Sequence, residues 1–310
     1  MSGVSTRRIL LLAGLIVALA AAFLTERAHA QDKPLNKVNA VATTSIIADF
    51  VRNVGGDRVA VATLVGPDGD AHVYSPTPGD ARTIASAAIV FVNGLGLEGW
   101  MTRLVKASGT RAPVLVVSNG VTPRKMQDED RPGRMAADPH AWQSVANAKI
   151  YVANIRDGLS AVDPAGKAAY GANAAGYLAK LDELEKQIAE AIGGIPAGRR
   201  RIITTHDAFG YFGDAYGMSF IAPEGVSTEA EPSAKDVAAI IAQIRREKSP
   251  AVFLESITDP RLMQTIAGET GARIGGTLHS DALSAPDGPA ATYIEMMRHN
   301  LRELTKALSG

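Results

Sequence analysis

Past its first three dozen residues the chain alternates short β-type runs with helix-type runs. The alternation pauses once, at a single long helix, and then restarts. Strand-like runs at Val38–Thr43, Val59–Val65, Ile89–Asn93 and Pro113–Ser118 are separated by helix-like runs at Ser45–Val54, Pro78–Ala87 and Glu98–Ala107. This order implies a parallel sheet covered by helices, because each parallel neighbour is reached by a crossover. Pro164–Ile192 then reads as one helix, with Tyr170, Tyr177, Leu181, Leu184 and Ile188 on a stripe at three-to-four-residue spacing. Pro164 suits its first turn and Gly193-Gly194 its end. Strands resume at Arg201–Thr205, Ala251–Glu255 and Ala272–Thr277, helices at Asp236–Lys248 and Arg261–Thr270, and a last helix spans about Ala290–Leu308. The expected fold class is α/β, with two lobes joined by a rigid helix: residues 31–163, 164–194 and 195–310.

Two segments stand outside this pattern. Arg7-Arg8, the apolar run Ile9–Leu24 and the small-x-small triplet Ala28-His29-Ala30 read as a secretory signal peptide over residues 1–30. The run is shorter than the roughly 20 apolar residues a spanning helix needs, and its hydrophobicity suits general secretion better than the twin-arginine route. Residues 119–138 are polar and mixed in charge, with Pro123, Pro132 and Gly133, and read as a mobile surface loop. The sequence contains no cysteine, so disulfides, thiolate ligands and a lipid-modified cysteine are excluded. An exported chain of that kind fits a periplasm and is not expected to be a lipoprotein. With 32 basic and 32 acidic residues, no basic field points to nucleic acid.

Four residues that can ligate a metal lie at breaks in the hydrophobic pattern: His72, His140, His206 and Asp281. His206 directly follows the strand Arg201–Thr205, Asp281 follows Ala272–Thr277, and His72 follows Val59–Val65 after a Gly-Pro-Asp-Gly turn. His140, after Pro139, is expected to open a helix over 141–155. Ligands of open α/β sheets bind outside the carboxyl ends of the strands, so such positions can face one cleft. If they converge, three imidazoles and a carboxylate make a nitrogen-rich shell suited to Zn²⁺. Taken singly, each has a plainer reading as a surface, capping or hydrogen-bonded residue. His279 is the substitute ligand if Asp281 stays away, and His299 reads as structural.

In order and spacing these segments resemble the solute-binding proteins of bacterial zinc and manganese ABC importers. The resemblance rests on His72-x-Tyr-x-Pro-Thr-Pro-x-Asp80, Asp138-Pro-His140-x-Trp142, Thr204-Thr-His206-Asp-Ala-Phe209-x-Tyr211 and Ser280-Asp281-x-Leu-Ser284, with Glu229-x-Glu-Pro-Ser233 as a fifth match. It implies two lobes of four-stranded parallel sheets, a connecting helix, and one metal held between the lobes by His72, His140, His206 and Asp281. Manganese-type members tend to carry glutamate at the third position. Histidine there favours zinc, one ion per chain.

The implied role is capture for a membrane permease and its ATPase, by a monomer. Affinity is expected to fall as pH drops through roughly 6.5, where free imidazoles gain protons. Glu255 and, less strongly, Asp207 are candidates to orient the histidine rings from behind. Asp128, Glu129 and Asp130 form a candidate loop site for metal capture or for handoff from a periplasmic metallochaperone. The rival readings are a manganese or iron carrier of the same family, an adhesin-like surface protein, and a secreted zinc hydrolase. The last lacks a His-Glu-x-x-His helix and a Gly-x-Ser-x-Gly turn.

Overall fold

The structure is a computed structural model that describes residues 37–127, 135–225, 228, 233–247 and 251–308. The segment read as a signal peptide, the triplet Asp128-Glu129-Asp130 and Glu229 lie outside the described residues.

The first sheet contains β1 (Val38–Thr44), β2 (Val59–Val65), β3 (Ile89–Val92) and β4 (Val114–Val116). All pairings are parallel, in the order β2-β1-β3-β4. Ala40, Val41 and Ala42 of β1 and every residue of β3 are buried, as strands covered on both faces must be. The crossovers are α1 (Ser45–Gly55), α2 (Pro78–Ala85) and α3 (Met101–Ser108). Helix α2 begins where its sequence says it should. Thr77 accepts from the Asp80 amide, the Asp80 carboxylate accepts from the Thr77 amide, and Pro78 takes the first turn.

The second sheet repeats the topology. It holds β7 (Arg201–Ile203), β8 (Ser219–Ile221), β9 (Ala251–Glu255) and β10 (Arg273–Leu278) in the parallel order β10-β9-β7-β8. In each sheet the first strand therefore has the second on one side and the third and fourth on the other. Its helices are α6 (Gly210–Tyr216), α7 (Ala234–Glu247) and α8 (Arg261–Thr270). Strand β8 and helix α6 have no counterpart in the sequence reading, because a three-residue strand shows no alternation and α6 spans only seven residues.

Three long helices back the two sheets: α4 (Val145–Val162), α5 (Lys167–Gly193) and α9 (Tyr293–Leu308). In α5 the residues Tyr170, Ala174, Tyr177, Leu181, Leu184, Ile188 and Ile192 are buried along one stripe. They join a hydrophobic core that runs from Phe50 and Phe91 in the first lobe to Phe253 and Leu278 in the second, through Tyr293, Met296 and Leu304 of α9. A smaller core of Ile203, Ile240, Ile244, Val252 and Met263 lies elsewhere in the second lobe. Residues 119–138, read as a loop, carry a short antiparallel hairpin of β5 (Lys125–Gln127) and β6 (Met135–Ala137). The helix expected to start at 141 is one 3₁₀ turn, Ala141–Gln143, followed by α4.

Candidate metal centre

The carboxyl ends of both sheets meet at a buried cluster. His72 comes from the loop after β2, His140 from the segment after β6, His206 three residues after β7, and Asp281 three residues after β10. One ligand-type atom from each lies within 4.8 Å of the other three. The Nε2 of His72 is 3.2 Å from that of His140 and 3.1 Å from Asp281 Oδ2. Asp281 Oδ2 is 3.2 Å from His206 Nε2 and 3.5 Å from His140 Nε2. A metal 2.0–2.2 Å from four tetrahedral donors would set those donors about 3.3–3.6 Å apart. These four edges are close to that cage, and the remaining two are within 4.8 Å. Asp281 Oδ1 is buried with no hydrogen-bond partner, which leaves a second oxygen free for a cation.

Two of the three rings, those of His140 and His206, are aimed from behind. Asp138, wholly buried, accepts at Oδ1 from the His140 backbone amide at 3.0 Å and stands 2.9 Å from its Nδ1. In the neutral ring that a metal would bind, that contact keeps the proton on Nδ1, so that Nε2 is the nitrogen whose lone pair faces the cluster. Glu255, at the end of β9, accepts at Oε1 from the Thr205 and His206 amides. Its Oε2 lies 2.6 Å from His206 Nδ1, close as an ion pair although not aligned as a hydrogen bond. Asp207 does not stand behind a ring; it faces Arg124, with Nη1 4.0 Å from its Oδ2. His279 is not one of the converging donors. Its amide is held by Asn300, and its ring stands edge-on to His299.

Charge in the cluster is frustrated without a cation. Burial pushes the His140 imidazole down, but the Asp281 carboxylate and the contact with Asp138 outweigh it and hold it up at about 9. Burial works the same way on His206, and Glu255 and Asp281 outweigh it to keep that ring protonated well above its ordinary range. Burial would raise the Asp281 carboxyl; His140 and His206 instead hold it well below the usual carboxylate value. Protons thus occupy the positive role that a metal ion would take.

The loop carrying Asp281 belongs to the second lobe but is gripped by the first. Trp142 Nε1 and Gln143 Nε2 both donate to the Ser280 carbonyl, at 2.9 and 2.7 Å. The Leu283 amide donates to Ser45 Oγ, and the Asp68 amide to the Leu283 carbonyl. Sequence reasoning missed these grips and missed Asp138 as the partner of His140. The one signal for the latter was its place two residues before the histidine in Asp-Pro-His.

Residues 40–307 match the family described as ZnuA, zinc-uptake complex component A, periplasmic. The manganese ABC transporter substrate-binding lipoprotein PsaA of Streptococcus anginosus is 34% identical over 279 residues, covering 88% of this chain and 90% of its own. The iron-binding protein YfeA of Yersinia pestis is 34% identical over 270 residues, covering 87% of this chain and 86% of its own. Among solved structures, the periplasmic zinc binding protein TroA from Treponema pallidum matches with a TM-score of 0.83 at 31% identity, across 88% of this chain and 99% of that one. The streptococcal relative is named a lipoprotein, in conflict with the expectation that this cysteine-free chain is not one.

Proposed function

This chain belongs to the family of metal-binding, substrate-binding components of ABC importers, which are transport proteins and not enzymes, and we propose that it captures one Zn²⁺ per chain between its lobes. In this reading His72, His140, His206 and Asp281 are the ligands, Asp138 and Glu255 orient two of the rings, and the ion passes to the membrane permease with its ATPase. One observation carries the choice of zinc: the converging donors are three imidazole nitrogens and one carboxylate oxygen, all within 4.8 Å of one another.

The second reading is a manganese or iron carrier. It is favoured by the unpartnered Oδ1 of Asp281, which would let the carboxylate bind through both oxygens and raise the coordination number, and by the metals in the relatives' names. Metal content and competition of zinc against manganese, on metal-free protein and on His206→Ala, separate the two. The zinc reading expects one tightly held zinc that the substitution weakens. Preference for manganese overturns the metal, and binding indifferent to His206 overturns the site.

The finer points belong to the same proposal. The protein is a periplasmic monomer with lobes 31–163 and 195–310 about the helix 164–194, released by its signal peptide and not lipid-anchored, since it has no cysteine to carry the lipid. Among the described residues no helix is long and apolar enough to cross a membrane. Delivery by a metallochaperone through Asp128, Glu129 and Asp130 is supported only by their charge, and unchanged transfer after deletion of Met126–Met135 would rule it out.

A further inference from the structure

We infer that Arg124 is a positioning residue for metal retention: it ties the orientation of His140 to the closure of the second lobe against the first. The inference rests on the metal-capture reading above.

Arg124 sits at the foot of the β5–β6 hairpin, where the Asp138 amide donates to its carbonyl at 2.8 Å. Its Nη1 donates to Asp138 Oδ2 at 3.3 Å, the oxygen left over once Oδ1 is committed to His140. On its other side are two carboxylates of the second lobe, Asp214 with Oδ2 3.3 Å from Nε and Asp207 with Oδ2 4.0 Å from Nη1. Tyr211 of α6 closes the same junction. Its hydroxyl accepts from the Arg124 amide and donates to the Asp138 carbonyl, both at 2.9 Å. One arginine therefore touches the carboxylate behind a ligand of the first lobe and the residue next to a ligand of the second.

The second lobe leaves room for it. A β-carbon on Gly210 would lie 2.4 Å from Arg124 Nη1 and 2.5 Å from its Cζ, so the guanidinium occupies the space a side chain would fill. Asp138 is wholly buried, and its charge and that of Asp207 repel across the junction. With Arg124 gone, the two carboxylates face each other uncompensated. The Asp138 side chain then keeps its Oδ1 contacts to His140 but loses the one that holds Oδ2, and with it part of what fixes the direction of the His140 ring. The guanidinium is about a third exposed, so its ion pairs add little stability in themselves; the contribution is geometric.

The test is the rate at which zinc-loaded protein releases its ion to excess chelator, for wild type, Arg124→Ala, Arg124→Lys and Gly210→Ala. Loss of a residue that orients a ligand typically costs about 10–100-fold in metal affinity, and here that loss is expected as faster release. Arg124→Lys, which restores charge without the planar fork, should fall between. Gly210→Ala should follow Arg124→Ala, because it displaces the guanidinium and keeps its charge. In ring-nitrogen spectra of zinc-loaded protein, the His140 Nδ1 resonance should shift in Arg124→Ala and Gly210→Ala while the His206 ring signals stay in place, a selective change that lowered fold stability alone would not produce. If Arg124→Ala does not fold, Gly210→Ala and Arg124→Lys carry the same comparison. Release within about twofold of wild type in variants that each hold one zinc sinks the inference and leaves the capture reading standing. A wild-type protein that holds no stoichiometric metal sinks the capture reading, and the inference with it.

Discussion

His140 and His206 set the terms on which a metal enters. A simple imidazole would compete with protons only near pH 6.5. Here the buried carboxylates extend that competition, with His140 held at about 9 and His206 well above its ordinary range. Binding must expel those protons, so affinity should keep rising from pH 6.5 towards 9, by up to about tenfold per pH unit for each proton displaced. The sign for stability is opposite. A histidine raised in the folded state stabilises the metal-free fold fully below pH 6.5, and that contribution is lost as pH climbs through about 9. Competitive titrations at pH 6.5, 7.5 and 8.5, with melting of metal-free and zinc-loaded protein beside them, check both halves. An affinity that levels off above pH 7 would show that the carboxylates do not hold protons on these rings. At this scale the sequence carried much. His72, His206 and Asp281 stood out because each follows a strand, and Glu255 because it ends one. Asp138 was marked only by its place two residues before His140, and Arg124 not at all, because its ties to Asp138, Asp207 and Asp214 join segments distant in sequence that no local spacing marks.

The long helix α5 shows what an element contributes apart from the site. Its buried stripe was readable from the period of its tyrosines and leucines, and so was its end. The hairpin β5–β6, the strand β8 and the helix α6 were not, because each is too short for its period to register. Glycines divide the helices by the space around them. Gly171 and Gly176 of α5 have nothing within 4 Å of where a β-carbon would sit. Alanine at either should stabilise the protein by about 0.5–1 kcal/mol, through helix propensity alone. At Gly158 of α4 a β-carbon would lie 2.7 Å from Leu115 Cδ1, 3.1 Å from Ile89 Cδ1 and 3.2 Å from Phe91 Cε1. There the helix lies directly on the first sheet. The same substitution should cost about 1–3 kcal/mol in overpacking, which exceeds the propensity gain. Urea unfolding of the three variants at fixed pH, without metal, measures the contrast. A stabilised Gly158→Ala would mean the sheet gives way more easily than its buried aliphatic side chains suggest.

Over the whole molecule the question is how far the lobes part when the metal leaves. A wide hinge needs a joint with little packed across it. This chain has the reverse, with one core running from Phe50 through Tyr177 and Tyr293 to Phe253. Tyr293 adds two polar ties, its amide donating to Asp49 Oδ2 at 3.0 Å and its hydroxyl to the Trp142 carbonyl at 2.7 Å. Opening is therefore confined to the contacts at the cleft, namely the grip of Trp142, Gln143 and Ser45 on the loop of Asp281 and the junction at Arg124. Those can loosen while the shared core stays closed. A compact chain of this length has a radius of gyration of about 19 Å. X-ray scattering should return nearly that value with and without zinc, and melting should remain a single transition in both states. Zinc at about 100 times its dissociation constant should stabilise by about 2.7 kcal/mol, the mass-action gain for a ligand that binds only the folded state. If metal removal instead produced a clear growth in radius, or two separated melting steps, the continuous core would not be joining the lobes, and release would proceed by hinge opening.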